Sequence, residues 1–255
     1  MSKFFVTPQE IHFNKVTLKG DEATHISRVL RMKAGDEIQI CDSQGTDFLG
    51  KILSVSEGGV EVEILDSWPC ENEPSFEVLL FQGLPKGDKM DAIIQKGVEL
   101  GVHSIVPVAT EFAVAKISDK KSEDKKLARW NKISHEAAKQ CGRGVLPQVL
   151  SVLDLKAAIE KAKEFDLVFV PYEKADASGG ASFKDLLSEF KSKKFDYKQK
   201  IAFFIGPEGG FSDKEMGLFF ENGIKPISLG KRILRTETAG VVVLAMLMYE
   251  LELEL

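Results

Sequence analysis

The sequence predicts an α/β protein in which a small β-rich domain precedes a larger domain built on a parallel sheet. Residues 1–70 contain several short strand patterns, and from Phe76 onward apolar strands alternate with helices. Near the C-terminus, short apolar runs end in glycine-rich loops, as the buried strands of parallel sheets do. At 255 residues the chain is long enough for two domains.

Residues 1–70 predict a small barrel. Strand patterns occur at 3–6, 17–20, 37–41, 46–55 and 58–65. Residues 21–31 predict a short helix that Asp21 could cap. So many short strands in a short segment favour a sheet that closes on itself. Residues 67–75 combine two prolines with polar residues and predict a linker, so we expect domains at 1–70 and 75–255.

The rest of the chain predicts alternating strands and helices. Strands are expected at 76–82, 103–108, 166–170, 201–205 and 227–228. Helices are expected at 86–100, 125–140, 155–164, 183–190, 212–223 and 241–249. Ser212 and Glu215 form a capping box for the fifth of these helices. The helix at 86–100 should bury one apolar face, made of Met90, Ile93, Ile94, Gly97 and Val98. The charged segment 118–126 and the glycine-containing segment 175–182 predict irregular connections.

Two glycine-containing segments predict a ligand pocket. GPEGG (206–210) follows the strand 201–205, and LGKRILRTETA (229–239) follows the strand 227–228. We expect both at the carboxyl ends of neighbouring strands, where open parallel sheets bind ligands. Thr236 or Thr238 could cap the last helix, whose first N–H groups would face the same crevice. Neither segment is a G-x-G-x-x-G or P-loop motif, which argues against dinucleotide and P-loop sites.

Composition restricts the functional classes. The net charge of −5 does not favour general RNA binding, but residues 112–148 carry nine Lys and Arg against four Asp and Glu. Any nucleic-acid contact is therefore expected to be local. Three scattered cysteines indicate a reducing cytoplasm, and the dispersed histidines predict no metal site. No apolar run predicts a membrane helix or a signal peptide, so no membrane partner is expected.

GPEGGFS and LGKRILRTETA resemble the RsmE family of 16S ribosomal RNA uridine-N3 methyltransferases, within the SPOUT superfamily. Three upstream blocks carry the resemblance further: HISRVLRMKAGDEI (25–38), KGDKMDAIIQKGVELGV (86–102) and RWNKISHEAAKQCGRGVLPQV (129–149). The resemblance implies a PUA-like β-barrel followed by a SPOUT-like parallel sheet with a C-terminal trefoil knot. In that knot the last helix would pass through a loop near Tyr172. The resemblance also implies a cytoplasmic homodimer that acts on 16S rRNA in the small ribosomal subunit and not on DNA.

The resemblance further implies the role of individual residues. Thirteen residues would bind S-adenosylmethionine: Pro171, Tyr172, Gly206, Glu208, Gly209, Gly210, Leu229, Gly230, Ile233, Leu234, Arg235, Thr236 and Ala239. Six basic residues would contact RNA: Arg28, Arg31, Lys86, Lys89, Arg143 and Arg232. Arg235 is the candidate for stabilising negative charge on the uridine, and Glu237 is a candidate for proton transfer. Glu208 and Glu237 could instead serve as acids that complement a helix dipole.

The implied reaction is methyl transfer to N3 of a uridine in the decoding region. Because N3 lies on the Watson–Crick edge, the target base must be unpaired or flipped out. Two positions depart from the family pattern. The resemblance implies an arginine near the N-terminus, where the chain has Lys3, and an acid–arginine pair where it has Glu111 and Phe112. Forked recognition of phosphate is therefore in question at Lys3.

Other functions fit parts of the sequence. A non-catalytic RNA-binding or ribosome-assembly protein would explain the barrel and the basic segment, but the intact glycine loops argue against it. An enzyme that uses a different nucleotide has no supporting motif. A SPOUT methyltransferase that acts on another RNA would share the two loops, but the upstream blocks oppose it.

Overall fold

The computed structural model describes residues 3–115, 119–175 and 181–252. The chain divides into two units. Met1–Glu73 and Ala138–Leu146 form the first, and Pro74–Ala137 and Pro147–Leu255 form the second. The boundary near residue 74 lies within the expected linker, but residues 138–146 group with the first unit, which no local sequence signal indicated. None of the described helices has the length and apolar character needed to cross a membrane.

Five strands form the sheet of the first unit. They are β1 (Lys3–Phe5), β2 (Lys15–Leu18), β3 (Glu37–Cys41), β4 (Thr46–Ser56) and β5 (Gly59–Pro69). Their order is β1-β3-β4-β5-β2, so β1 and β2 are the edge strands. In the described residues β1 and β2 do not pair with each other, so hydrogen bonds do not close the sheet into a complete barrel. β5 continues through the start of the predicted linker, because Ser67 and Trp68 pair with Phe48 and Asp47 of β4.

A helical segment completes the apolar core of the first unit. α1 (Gly20–Thr24) continues into a π-helical stretch, His25–Val29. Ile26 is fully buried in the same core as Phe4 of β1 and Val16 of β2. The predicted cap by Asp21 is wrong: Lys19 is at the N-cap position, and Asp21 lies in the first turn.

Lys3 holds the loop after residue 141 against the strands of the first unit. Its ammonium is buried and donates hydrogen bonds to Asp47 Oδ2 at 2.9 Å, to the Gly142 carbonyl at 2.9 Å and to the Arg143 carbonyl at 3.3 Å. Gly144 lies so close to the strands that a Cβ there would be 2.5 Å from the Cβ of Cys70. These contacts explain why residues 138–146 belong to the first unit, and they leave Lys3 with a structural role.

The second unit contains a parallel sheet. Its strands are β6 (Glu77–Gly83), β7 (Ser104–Ala109), β8 (Gln148–Val149), β9 (Leu153–Asp154), β10 (Leu167–Pro171), β11 (Ala181–Ser182), β12 (Lys200–Ile205) and β13 (Lys225–Ser228). The order is β11-β13-β10-β12-β6-β7-β8, and β9 also pairs with β7. Every pairing is parallel. The predicted α/β class is therefore confirmed.

The sequence predicted that the two glycine loops follow neighbouring strands, and this prediction is wrong. β10 lies between β12, which precedes GPEGG, and β13, which precedes LGKRILRTETA. Pairing between distant strands decides this order, and no local pattern records it. As a result, Pro171 at the end of β10 lies between the two loops.

Six further helices accompany the sheet in the part of the chain that the structure describes. They are α2 (Lys89–Glu99), α3 (Lys120–Cys141), α4 (Leu155–Ala162), α5 (Phe183–Lys191), α6 (Asp213–Glu221) and α7 (Thr236–Leu251). α2 buries the five residues predicted for its apolar face. α6 begins with the predicted capping box, in which Ser212 and Glu215 exchange side-chain and backbone hydrogen bonds.

α3 begins earlier than the sequence predicted. Residues 120–126 are helical rather than irregular, because the backbone N–H of Ser122 donates to Asp119 Oδ1 at 2.8 Å and Lys120 pairs with Glu123 and Asp124. Residue 118 lies outside the described residues. Within the segment 175–182, residues 176–180 also lie outside them, and Ala181–Ser182 form a strand rather than a turn.

Replacement of Lys3 by alanine should destabilise the first unit by about 3–5 kcal/mol, because it leaves Asp47 buried without its cation. The matched change Lys15→Ala removes an exposed partner of Glu61 and should cost about 0–1 kcal/mol. Urea denaturation monitored by Trp68 fluorescence in a Trp130→Phe background measures both values. Equal midpoints for the two variants would contradict the structural role of Lys3.

Candidate functional site

A cavity of about 460 Å³ lies at the carboxyl edge of the parallel sheet. A second cavity of about 350 Å³ shares its wall at Pro171, Tyr172 and Ile233 and extends along residues 229–232. Both sizes are typical of small-molecule sites. All thirteen residues expected to bind a cofactor line one cavity or both. The wall also includes residues that the sequence did not single out: Glu173, Ile205, Pro207 and Phe211.

Thr236 joins three segments beneath this cavity. Its hydroxyl donates to the Gly206 carbonyl at 2.7 Å and accepts from Gln82 Nε2 at 2.9 Å. Both side chains are buried. The N-cap of α7 is Arg235, without a side-chain cap, so the prediction that Thr236 or Thr238 caps the helix is wrong. The hydroxyl of Thr236 instead fixes the start of α7 to the ends of β6 and β12.

Sequence reasoning missed Gln82. It is fully buried at the carboxyl end of β6, directly after the apolar residues 78–81, and its amide also donates to the Gly83 carbonyl at 2.9 Å. A lone polar residue at the carboxyl end of a buried strand was the available signal. The neighbouring Gly83 is equally constrained, because a Cβ there would be 2.6 Å from Cδ of Pro207. This close approach packs the loop 206–210 onto the end of β6.

Three charged side chains form a cluster at the cavity. Lys89 Nζ lies 2.8 Å from Glu208 Oε1 and 3.4 Å from Glu237 Oε2. Glu208 also accepts from the backbone N–H of Lys86 at 3.1 Å. Partial burial favours a higher pKa for Glu208, but the hydrogen bonds from Lys89 and from backbone N–H groups outweigh it and lower the pKa. The hydrogen bond to Glu208 in turn raises the pKa of Lys89.

Arg235 and Ile233 lie at the rim of the cavity. Both are exposed, and Ile233 is 84% accessible although it is apolar. In the part of the chain that the structure describes, the guanidinium of Arg235 makes no ion pair or hydrogen bond. An unpaired cation and an uncovered apolar side chain are therefore available at the cavity mouth.

The six predicted RNA-binding residues fall into three groups. Arg28, Arg31, Lys86 and Arg232 have exposed side chains. Lys89 belongs to the charged cluster of the cavity. Arg143 is only 3% accessible, and its guanidinium donates two hydrogen bonds to Glu73, at 2.8 and 2.9 Å.

Arg143 therefore has no exposed face for a phosphate in this structure. Burial favours a higher pKa for Glu73, but Arg143 and the backbone N–H groups of Gly144 and Val145 lower it. The glycines around Arg143 suggested a presented side chain. They instead let the loop approach the strands closely, and the RNA role predicted for Arg143 has no support in the structure.

The arrangement can bind a small ligand that combines a flat ring with charged groups. Tyr172, Ile233 and Leu234 provide apolar surface, the glycine loops expose backbone, and the carboxylate of Glu208 in the cavity wall favours a cation. Gly210 and Gly230 have φ values of +69° and +102°, which favour glycine, and no atom would touch a Cβ built on either. The described residues contain no group of three potential metal ligands.

Known proteins with similar sequences are RNA methyltransferases. Residues 71–248 match the model of an RNA methyltransferase domain, and residues 18–65 match an RNA methyltransferase PUA domain. The chain is 36% identical, over 99% of its length and 98% of the relative's, to "Ribosomal RNA small subunit methyltransferase E" of Bacillus subtilis. It is 32% identical to the protein of that name in Mesomycoplasma hyopneumoniae, over 96% and 97% of the two chains.

A solved structure is similar over the whole chain. This is a ribosomal RNA small subunit methyltransferase E from Neisseria gonorrhoeae bound to S-adenosyl methionine. Its TM-score is 0.82 at 30% identity, and the match covers 98% of this chain and 97% of the other.

The charged cluster predicts a specific pH response. Replacement of Lys89 by methionine should raise the pKa of Glu208 towards its ordinary value, because the strongest partner of the carboxylate is lost. In the parent protein the lowered pKa adds stability that is present above the ordinary pKa of glutamate and is lost as pH falls through the lowered value. Carbon-13 NMR titration of labelled glutamates, with Glu208→Gln for assignment, measures this shift.

Lys86→Met is the matched control for that titration. Only the backbone N–H of Lys86 contacts Glu208, so removal of its ammonium should leave the titration unchanged. An unchanged Glu208 titration in Lys89→Met would show that the pair does not form in solution.

Proposed function

This chain belongs to the RNA methyltransferase family that includes ribosomal RNA small subunit methyltransferase E, and we propose that it methylates N3 of a uridine in the decoding region of 16S ribosomal RNA. The methyl donor in this proposal is S-adenosylmethionine. The two adjoining cavities at the carboxyl edge of the second unit's sheet carry the proposal, because each of the thirteen residues expected to bind the cofactor lines one or both of them. A ribosomal substrate also implies that the protein acts in the cytoplasm.

The residues of the cavity fit S-adenosylmethionine. The glycine loops can present backbone N–H and C=O groups to the adenine edge, while Leu229, Ile233 and Leu234 can cover the ring. Glu208 and Glu237 favour the positive charges of the cofactor. When bound, the cofactor supplies a methyl group that its sulfonium already activates. The chain then has to position the uridine and manage its proton and charge.

Arg235 and Glu237 are the proposed catalytic residues. Removal of the N3 proton leaves negative charge on the uridine, which spreads to the two carbonyl oxygens beside N3. The unpaired guanidinium of Arg235, at the cavity rim, suits the stabilisation of that charge. Glu237 is held by Lys89 at 3.4 Å and is the proposed acceptor of the N3 proton.

RNA binding is proposed for exposed basic residues in each unit. In the first unit, Arg28 lies in the π-helical stretch, and Arg31 follows it with a φ of 54°. In the second unit, Lys86 and Arg232 have exposed side chains close in sequence to cavity residues. These residues are suited to holding phosphates rather than to reading bases.

A trefoil knot is proposed at the carboxyl edge of the second sheet. α7 begins at the ends of β6 and β12, on the far side of β10 from β13, so the chain from β13 to α7 must pass the end of β10. Tyr172 and Glu173 share a cavity wall with residues 229–234. The residues directly after β10 and those after β13 therefore lie against the same cavity at one edge of the sheet. An experimental chain trace in which residues 229–235 run outside the β10–β11 connection would contradict the knot.

A homodimer is proposed through α7. This helix is apolar on nearly every side, yet Met246 and Tyr249 are exposed in the single chain. A helix that is hydrophobic all round is normally buried on all sides. A second copy of the chain, packed on the exposed side of α7, would satisfy this requirement.

The activity is tested with small ribosomal subunits that lack the modification. The protein with S-adenosylmethionine should produce 3-methyluridine, identified by mass spectrometry of digested nucleosides. Arg235→Ala should lower kcat by about 10²–10³, the usual effect of removing one group that stabilises developing charge. Lys225→Ala, which removes an exposed cation at the opposite end of β13, should leave the rate unchanged.

Three outcomes would contradict parts of this proposal. Methylation at another atom of uridine would exclude the N3 assignment. Binding of subunits without any methyl transfer would favour a non-catalytic RNA-binding protein. Full activity of Arg235→Ala would remove that residue from the catalytic group.

The RNA surface is tested by the salt dependence of binding. Arg28→Ala should reduce the slope of log K against log salt by about one, because one phosphate contact is lost. Lys51→Ala removes an equally exposed charge from β4 and should leave the slope unchanged. Equal slopes for all three proteins, measured by filter binding to small subunits, would exclude Arg28 from the interface.

The dimer is tested by light scattering coupled to size-exclusion chromatography. The measured molar mass of the parent protein should be about twice the 28.2 kDa of one chain, and the mass of Met246→Glu should be that of a single chain. Phe220→Glu, at a similarly exposed apolar position on α6, should remain dimeric. A monomeric parent protein would contradict the proposed interface.

A further inference from the structure

Phe112 is an exposed aromatic residue beside the cavity. It follows β7 and is 46% accessible. A Cβ built on Gly209 would be 2.9 Å from the Cβ of Phe112 and 3.4 Å from its Cγ, so the ring lies directly against the glycine loop that lines the cavity. The position thus adjoins the proposed methylation site without belonging to the apolar core.

The backbone on both sides of Phe112 is anchored. The N–H of Glu111 donates to Glu215 Oε1 at 2.8 Å, and the Ser212 hydroxyl donates to Glu111 Oε2 at 2.7 Å. On the other side, Ala113 is buried, and its N–H donates to the Thr110 carbonyl at 3.2 Å. An exposed ring on a fixed backbone is already positioned to bind a flat ligand, since little conformational entropy is lost on binding.

A flat side chain of this kind suits methylation at N3. The uridine must leave any base pair, so the faces of its ring lose their stacking neighbours. Proteins that bind unpaired bases replace these neighbours with aromatic rings or with guanidinium planes.

We propose that Phe112 stacks on the target uridine and holds its N3 edge towards the cavity. This inference rests on the proposed function and adds a substrate-binding residue to it. Loss of the ring should weaken productive binding of the RNA without changing the affinity for the cofactor.

The test compares four variants of the full-length protein at saturating S-adenosylmethionine. Phe112→Ala and Phe112→Leu should lower kcat/KM for small subunits by about ten- to a hundredfold, because both lack a flat ring. Phe112→Tyr keeps the ring and should retain activity within about threefold. Phe220→Ala, with the same 46% accessibility on α6, is the matched control and should match the parent protein. Calorimetry should give the same Kd for S-adenosylmethionine in every variant.

Two results would overturn the stacking contact while the proposed function stands. If Phe112→Leu is as active as the parent, the side chain contributes only apolar volume. If Phe112→Ala weakens cofactor binding as much as it lowers kcat/KM, the ring merely supports the loop at Gly209.

A binding measurement separates this inference from the proposed function. The fluorescence of Phe112→Trp should be quenched by a single-stranded RNA that contains uridine, relative to the parent protein with the same RNA. Quenching without methyl transfer by the parent would overturn the function and keep the contact. Methyl transfer by the parent without quenching, together with an unchanged kcat/KM for Phe112→Ala, would keep the proposed function and overturn the stacking contact.

Discussion

The hydroxyl of Thr236 makes the contact on which the candidate site depends. It joins the end of β6 through Gln82, the end of β12 through Gly206 and the first residue of α7. These three segments are far apart in the sequence, and their polar groups meet where water is excluded. A buried donor or acceptor without a partner is costly, so each group fixes the position of the other two. The part of the cavity wall formed by Gly206 and Thr236 is therefore held in a fixed position.

Backbone groups and charged side chains make different contributions to the cavity. The glycine loops bring main-chain groups to the surface, while Lys89 pairs with both Glu208 and Glu237 and holds them close together. Arg235 remains unpaired at the rim among the described residues, and Phe112 lies beside the loop with its ring half exposed. For methyl transfer to a base, a site needs this combination: a place for the donor, a group that meets developing charge and a surface for the ring.

Two local patterns in the sequence predicted local structure correctly, although the caps expected from Asp21 and Thr236 did not form. The capping box of Ser212 and Glu215 and the buried face of α2 are confirmed, because each depends on residues within one or two turns. The sequence did not predict features that depend on contacts between distant residues. The position of β10 between β12 and β13, and the inward orientation of Lys3 and Arg143, follow from partners far along the chain. A basic residue beside glycines looks the same in sequence whether it meets a phosphate or a buried carboxylate.

The most direct test of this account is calorimetric titration with S-adenosylmethionine of the parent protein, Thr236→Ser and Thr236→Val. The serine variant keeps the hydroxyl, whereas valine has the same shape without it. The account predicts saturable binding by the parent and by Thr236→Ser, and binding at least about tenfold weaker by a folded Thr236→Val, since loss of the hydroxyl leaves buried polar groups unpaired beneath the cavity. Equal affinity in all three would contradict the role of Thr236, and no binding by the folded parent would contradict the cofactor site itself.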